Sequence, residues 1–329
     1  MVSRRTWCLL AAIGTIVCLP LVVNNAYLLS ILIVIGLYAI IAQGLGILMG
    51  FAGQVSFGQA AFYGLGAYTA AILATRYGWP PLLCLFVAPF VPTLAALVIG
   101  RPILRLREHY LVLATLGFGI LVFALFKEFT GFTGGPSGLG GIPYLRIGSL
   151  VLDGDREYFY LVWTILGLTL LGMANLTNSP VGRVFRAIHT SERAAEAVGI
   201  DAAALKLQAF ALSAFLAGLA GGLYSFWVTF ISPAPFGFTT SVEFVLMVVV
   251  GGLGTLWGPV LGAAIIVGLD KLLQWAVPLV LPGAGGEFEI IFFGIIFVLI
   301  MLFRPKGILV PGTLRVLTGE AAGGKKCCA

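Results

Sequence analysis

Ten long apolar runs constrain this chain more than any other feature. They cover roughly residues 7–23, 27–50, 57–75, 82–100, 109–127, 158–176, 208–230, 241–253, 257–273 and 287–303. A helix that crosses a bilayer needs about 20 apolar residues, so most of these runs approach spanning length. They are continuous rather than alternating, and a membrane β-barrel requires alternation. The expected fold is therefore all-α: a polytopic membrane helix bundle of about ten transmembrane helices, some broken at glycine. Composition agrees. Of 329 residues, 60% are hydrophobic and 10% charged, where a soluble domain carries about 25% charged residues. The runs 241–253 and 257–273 are short, with Gly-rich sequence between them. They read as one broken element or as a re-entrant hairpin.

The basic residues give the spans a direction. With ten spans and both termini inside, the inner segments hold Arg4, Arg5, Arg101, Arg105, Arg107, Arg183, Arg186, Arg193, Lys206, Arg304, Lys306, Arg315, Lys325 and Lys326, 14 of the 19 Lys and Arg residues. Arg76, Lys127, Arg146, Arg156 and Lys271 fall outside. An excess of Lys and Arg on cytoplasmic loops supports this orientation. It also accounts for the net charge of +6 without nucleic acid, whose binding needs a concentrated basic face. The partner implied is membrane lipid. Arg4 and Arg5 before an apolar stretch resemble the start of a cleavable signal, but further spans follow at once, so a retained first helix is the simpler reading.

Residues 1–310 read as one transmembrane domain and 311–329 as a cytoplasmic tail. Residues 128–157 form the longest outer loop, with a Gly/Pro-rich stretch at 130–143 that reads as flexible. Residues 177–207 form the longest inner segment, and it carries structure of its own. Val181, Val184, Phe185 and Ile188 recur on one face of a helix, with Arg183 and Arg186 off that face and Pro180 placed to open it. A second short helix follows, capped by Thr190 or Ser191. Ala194, Ala195 and Val198 form its apolar face, Glu192, Arg193 and Glu196 its polar one, and Gly199 ends it. Asp201 then looks like the cap of the next membrane helix. The segment is either an interfacial amphipathic helix pair without a partner or a compact docking knob.

Glycines interrupt the spans at two places, Gly44 to Gly58 and Gly251 to Gly258. Broken helices free backbone groups, which lipid forbids unless they face protein or a water path. Gln43, Gln54, Ser56, Gln59 and Tyr63 add polar groups near the first break. Together with Gly53, Thr115, Gly251, Gly252 and Gly254 they are the candidate lining of a translocation path. The competing reading is close helix packing, since Gly218-xxx-Gly222 and Gly258-xxx-Gly262 are small-xxx-small motifs.

Several chemistries are excluded. There are two histidines, His109 and His189, and the five cysteines show no metal-ligand spacing. Asp153-Gly154-Asp155 is too short for a calcium loop. No catalytic cluster points to a membrane enzyme, and no Walker A motif is present, so the chain cannot hydrolyse ATP alone. A secondary transporter is expected to bury a carboxylate near mid-membrane. Glu243 is the nearest candidate, but Thr240 to Glu243 reads as a capping box, and Asp270 and Lys271 read as a helix end.

Ala194-Ala195-x-x-x-Gly199 resembles the signature of permease subunits of bacterial ABC importers, with Arg193 where the usual Glu precedes the Ala pair. The stretches GFAGQVSFGQAAFYGLGAYTAAIL (50–73), LREHYLVLATLGFG (106–119), TGGPSGLGGIP (133–143), VGRVFRAIHTSERAAEAVGID (181–201), VVVGGLGTLWGPVLGA (248–263) and RPKGI (304–308) are together similar to the branched-chain amino-acid permeases of the M type. The resemblance implies an inner-membrane permease that imports leucine, isoleucine, valine or related small amino acids by alternating access. It implies no cofactor in this chain, ATP being bound by two separate ATP-binding subunits. It further implies a second homologous permease and a periplasmic substrate-binding protein. Gly182, Arg183, Arg186, Glu192, Ala194, Ala195 and Gly199 become the residues coupled to the ATPase. Urea and short-amide permeases look much alike. A sugar permease would lack the TGGP-type outer loop and the LREHYLVLATLGFG stretch.

Overall fold

The computed structural model describes residues 25–104, 108–148 and 150–280, with single positions at 294, 295, 298, 302, 307 and 308. The expected span 7–23, nearly all of 287–303, the tail 311–329, and Arg105 and Arg107 lie outside the described residues. The main helices are α1 (Ala26–Gly50), α2 (Gln59–Arg76), α3 (Pro81–Val87), α4 (Phe90–Ile103), α5 (Glu108–Glu128), α6 (Asp155–Asn178), α7 (Pro180–Thr190), α8 (Glu192–Ala197), α9 (Ala202–Val228), α10 (Phe238–Gly251) and α11 (Gly258–Val280), with single helical turns at Thr130–Thr133, Gly135–Ser137 and Ala234–Phe236. The described chain is thus nearly all helical, as expected. A short antiparallel hairpin, β1 (Leu145–Ile147) and β2 (Leu150–Leu152), is the exception. Among the described residues, six helices are long and apolar enough to cross a membrane, counting α3 and α4 as one, and α10 is apolar but shorter.

The centre of the bundle is α1, α2 and α9. Lipid tails are as apolar as leucine, so helices in a membrane associate by close packing of small residues rather than by burial from water. That is how α2 meets α9. A side chain at Gly66 would strike the Gly218 carbonyl, and one at Gly221 the Tyr63 carbonyl. On its other side α9 seats the junction of α3 and α4, Gly218 against Pro92 and Gly222 against Ala88. The run 82–100 is therefore two helices hinged at Ala88–Pro89, because Pro89 and Pro92 have no amide to continue the ladder. Gly36 of α1 packs on Val162 of α6, and Trp163 donates to the Leu32 carbonyl at 3.2 Å.

The late Gly-rich runs resolve into two helices packed against each other. Gly251 meets Gly258, and Gly262 meets the Met247 carbonyl, so α10 and α11 run antiparallel in close contact. At 14 residues, α10 is about 21 Å long, short of a 30 Å bilayer core.

The loop 128–157 differs from its expected flexibility. Leu139 and Ile231 exchange backbone hydrogen bonds at 2.8 and 3.0 Å. The Thr133 hydroxyl donates to the Phe126 carbonyl at 2.7 Å, and the Arg76 guanidinium lies over the Phe132 ring. Its glycines allow turns that its hydrogen bonds then fix.

Candidate functional site

The segment 177–207 folds as local rules dictate. Ser179 caps α7 by accepting from the Gly182 amide at 3.3 Å, and Pro180 opens the helix. Ser191, rather than Thr190, caps α8 through the Ala194 amide at 3.3 Å. Gly199 closes α8 at φ +83°, with the Ile200 amide returning to the Ala195 carbonyl at 3.1 Å. Asp201 caps α9 through the Ala204 amide at 3.0 Å.

Ile188, Ala195 and Ala202 are buried together as a small separate core, flanked by Val184, Ile200 and Leu205. Phe185 joins the main core instead. Two outer ties fix the module: Lys206 to Glu192 at 2.6 Å and Arg186 to the Thr177 carbonyl at 3.3 Å. The expected apolar faces need correction. Val181 points outward, and on α8 only Ala195 turns inward; Ala194 is exposed and Val198 is 76% exposed. A six-residue helix presents fewer than two turns, so its small residues face both ways. Arg183, Arg186, Glu192 and Gly199 are also exposed, whereas Gly182 is buried against the end of α6.

The module touches the first glycine break. At Gly53, φ +68°, an added side chain would lie 2.9 Å from His189 Nδ1 of α7. The Gly53 turn ends α1, with the Gln54 amide returning to the Leu48 carbonyl at 2.9 Å. Four other glycines gather at this end of the bundle. Gly50 abuts Gly254, while Gly307 packs on Gly252 and the Ile308 amide donates to the Val250 carbonyl at 2.8 Å.

From Gly53 the chain runs inward without helix to Gln59. Gln43, Gln54, Ser56, Gln59, Tyr63 and Thr115 are all buried. Gln59 donates to the Ser213 hydroxyl at 2.8 Å, and Thr115 accepts the Phe57 amide at 3.2 Å. Ser56 accepts the Gly58 amide at 3.3 Å, and Gln43 donates to the Leu256 carbonyl at 2.7 Å. Gln54 Oε1, Gln59 Oε1 and the hydroxyls of Tyr63 and Tyr68 have no described protein partner. Gly251 instead serves α10–α11 packing, while Gly252 and Gly254 form the turn between those helices.

Thr240 does not begin a capping box. Helix α10 starts two residues earlier, at Phe238, and the neighbouring Ser241 hydroxyl accepts the Ala60 amide at 3.0 Å. Nor do Asp270 and Lys271 end a helix, since α11 continues to Val280. Ser213 and Ser241, which hold the start of α2, were missed as site residues. The available signal was a lone hydroxyl inside an apolar run. Among the described residues no group of three metal-ligating side chains comes together.

The sequence pattern of the family described as "Branched-chain amino acid transport system / permease component" matches residues 27–301. The chain belongs to this family. This permease is 33% identical over 313 residues to the high-affinity branched-chain amino acid transport system permease protein LivM of Salmonella typhimurium, a match that covers 87% of this chain and 71% of that protein. LivM of Escherichia coli K12 matches with the same identity and coverage. LivH of Escherichia coli K12 is 24% identical over 293 residues, 83% of this chain and 91% of that protein. No solved structure matches the permease. It is a multi-pass membrane permease of a bacterial ABC importer, not itself an enzyme, and ATP is handled by partner ATPases.

Proposed function

We propose that this permease imports branched-chain amino acids across the inner membrane by alternating access, and that α7 and α8 form the cytoplasmic element on which an ATP-binding subunit acts. Two such subunits, a second homologous permease and a periplasmic binding protein complete the importer. The observation that carries the coupling role is the exposed pair Ala194 and Val198, held on a capped, separately cored module that touches the end of α1 at Gly53. Small residues on a rigid knob fit a groove, and the contact gives motion there a route into the bundle.

The ten-span topology with both termini cytoplasmic is the orientation we favour. Helix directions alternate as it requires: Gly36 to Val162 and the shared cleft of Gly46, Ile47 and Met173 make α1 and α6 parallel. Gly53, His189, Gly254 and Gly307 then share one end, with Arg76, Phe132, Leu139 and Ile231 at the other. Within this reading residues 1–310 are the permease domain, 128–157 a periplasmic loop and 311–329 a cytoplasmic tail. The buried row from Gln54 to Tyr63, with Gln43, Gly53 and Thr115, borders the translocation path.

The test is reconstitution of the permease pair, the ATPases and the binding protein in vesicles. Ala194→Asp, which places a charge in the docking groove, is expected to abolish leucine uptake and substrate-stimulated ATP hydrolysis while the permease pair still assembles. Undiminished uptake by this variant refutes the coupling assignment.

A further inference from the structure

Three charged residues and a glutamine sit deeper in the membrane than the mechanism above uses. Pro259 of α11 packs on Gly46 of α1. Asp270 follows eleven residues later, about 16 Å further along the helix. The two helices are antiparallel, so Asp270 is level with about residue 35 of α1, roughly 14 Å from its Ala26 end. Glu243 of α10 adjoins Phe244, whose ring lies 5.1 Å from that of Tyr38 at the middle of α1. Glu243, Asp270 and Lys271 therefore occupy the hydrocarbon zone rather than its edge, and Gln274 lies one turn nearer the outer end.

They are connected. Lys271 Nζ donates to Gln274 Oε1 at 2.8 Å, and Gln274 Nε2 donates to Asp270 Oδ2 at 3.0 Å. Lys271 and Asp270 are 3.6 Å apart. Gly262 of α11 meets Met247 of the antiparallel α10, so the half-buried Glu243 is level with about residue 266, about 6 Å along the axis from Asp270, and it makes no hydrogen bond to a described residue. Yet the set is open on one side: the Asp270 side chain is 49% exposed and that of Lys271 33%. Lipid does not tolerate an open charge cluster at this depth. Intramembrane ionisable groups face one another, a protein partner or a water-filled pathway.

We propose that the α10–α11 face bearing Glu243, Asp270, Lys271 and Gln274 is a wall of the translocation path, where the zwitterionic head of an amino acid is held by charge. Lys271 takes the α-carboxylate, and Asp270 with Glu243 takes the α-ammonium. Lys271 and Asp270 stand side by side, so each end of the zwitterion meets a group of opposite charge. The 3.6 Å spacing of Lys271 and Asp270 lets a bound zwitterion exchange their mutual pairing for its own two ends. A site of this kind recognises the head common to leucine, isoleucine and valine, and leaves side-chain choice to other groups. The inference rests on the amino-acid import reading above and adds a substrate site to it.

The test uses the full importer in vesicles, with the five native cysteines replaced by alanine. Gln274→Cys is expected to react with a charged, membrane-impermeant methanethiosulfonate reagent. Turnover with leucine-loaded binding protein should slow that reaction more than unloaded binding protein does. Lys271→Met and Asp270→Asn are each expected to cut the maximal leucine uptake rate about tenfold or more, the loss of one charge-assisted hydrogen bond. Leu272→Ala, exposed beside them on α11, should not. A cysteine at 274 that reacts only with a lipid-soluble maleimide, or with neither reagent, overturns the proposal. So does labelling that leucine never slows, or wild-type uptake by Lys271→Met. A wild-type complex that accumulates no leucine refutes the import reading, and this inference with it; normal wild-type uptake with any of the other adverse results refutes this inference alone.

Discussion

Replacing Gly53 with alanine should weaken the joint between the α7–α8 module and the bundle, by an amount that divides into two separable parts. The first is backbone strain. Gly53 has φ +68°, and an L-residue in the left-handed region costs about 1–2 kcal/mol. The second is steric. The new methyl would lie 2.9 Å from His189 Nδ1, closer than carbon packs. Overpacking costs about 1–3 kcal/mol, and because His189 is exposed and can swing aside, the low end of that range applies. Gly53→Ala is thus expected to cost about 2–3 kcal/mol in all. A double-mutant cycle with His189→Ala separates the parts: in that background the same change should cost only its backbone share, leaving a coupling energy near 1 kcal/mol. The measurement is reversible unfolding of the purified permease in detergent, run on the four proteins of the cycle. A coupling energy below about 0.5 kcal/mol would show that His189 does not rest on Gly53. A total cost below that value would refute the left-handed turn itself.

Other changes follow from the same packing. Gly221→Val sets a branched side chain against the Tyr63 carbonyl, which cannot move without α2; it is expected to prevent stable assembly, seen as loss of the monodisperse permease on size-exclusion chromatography. Glu192→Gln removes the 2.6 Å tie to Lys206, but the pair is partly exposed, so unfolding should shift by no more than about 1 kcal/mol. A loss of several kcal/mol there would mean the module depends on this ion pair rather than on its small core.

Much of the α7–α8 module was legible in the sequence because its rules are local. A serine accepting an amide three residues on, a proline at a helix start and a glycine at its end require no knowledge of the rest of the chain. Which way Ala194 and Val198 point was not legible, since three apolar residues in six positions do not define an inward face. Glu243 failed for a different reason. Thr240 to Glu243 has the spacing of a capping box, but the helix already begins at Phe238, two residues before Thr240. The position of Asp270 was misjudged because hydropathy falls at a charge whether or not the helix stops there. Glycine runs were the most ambiguous signal. Gly53 makes a turn, Gly66 makes a crossing, and their sequence surroundings look alike.

The row of buried polar groups on the way to α2 makes its own energetic demand. Gln54 Oε1, Gln59 Oε1, Tyr63 OH and Tyr68 OH have no described protein partner, and a buried polar group left so costs about 1–3 kcal/mol. Tyr63 is packed among Tyr38, Tyr224, Phe236 and Phe244, so its ring has ample contacts and its hydroxyl has none that offsets the loss of water. Tyr63→Phe keeps every ring contact and removes only the stranded group. It is therefore expected to leave this closed packing equally stable or stabilise it by up to about 2 kcal/mol, read by the same detergent unfolding. A transporter must visit another arrangement in which the path is wet, and there the hydroxyl would regain partners. The variant should then favour the closed arrangement and take up leucine more slowly despite its stability. If Tyr63→Phe instead destabilised the protein by more than about 1 kcal/mol, the hydroxyl would have to be bonded in the closed arrangement, and this account of the polar row would be wrong.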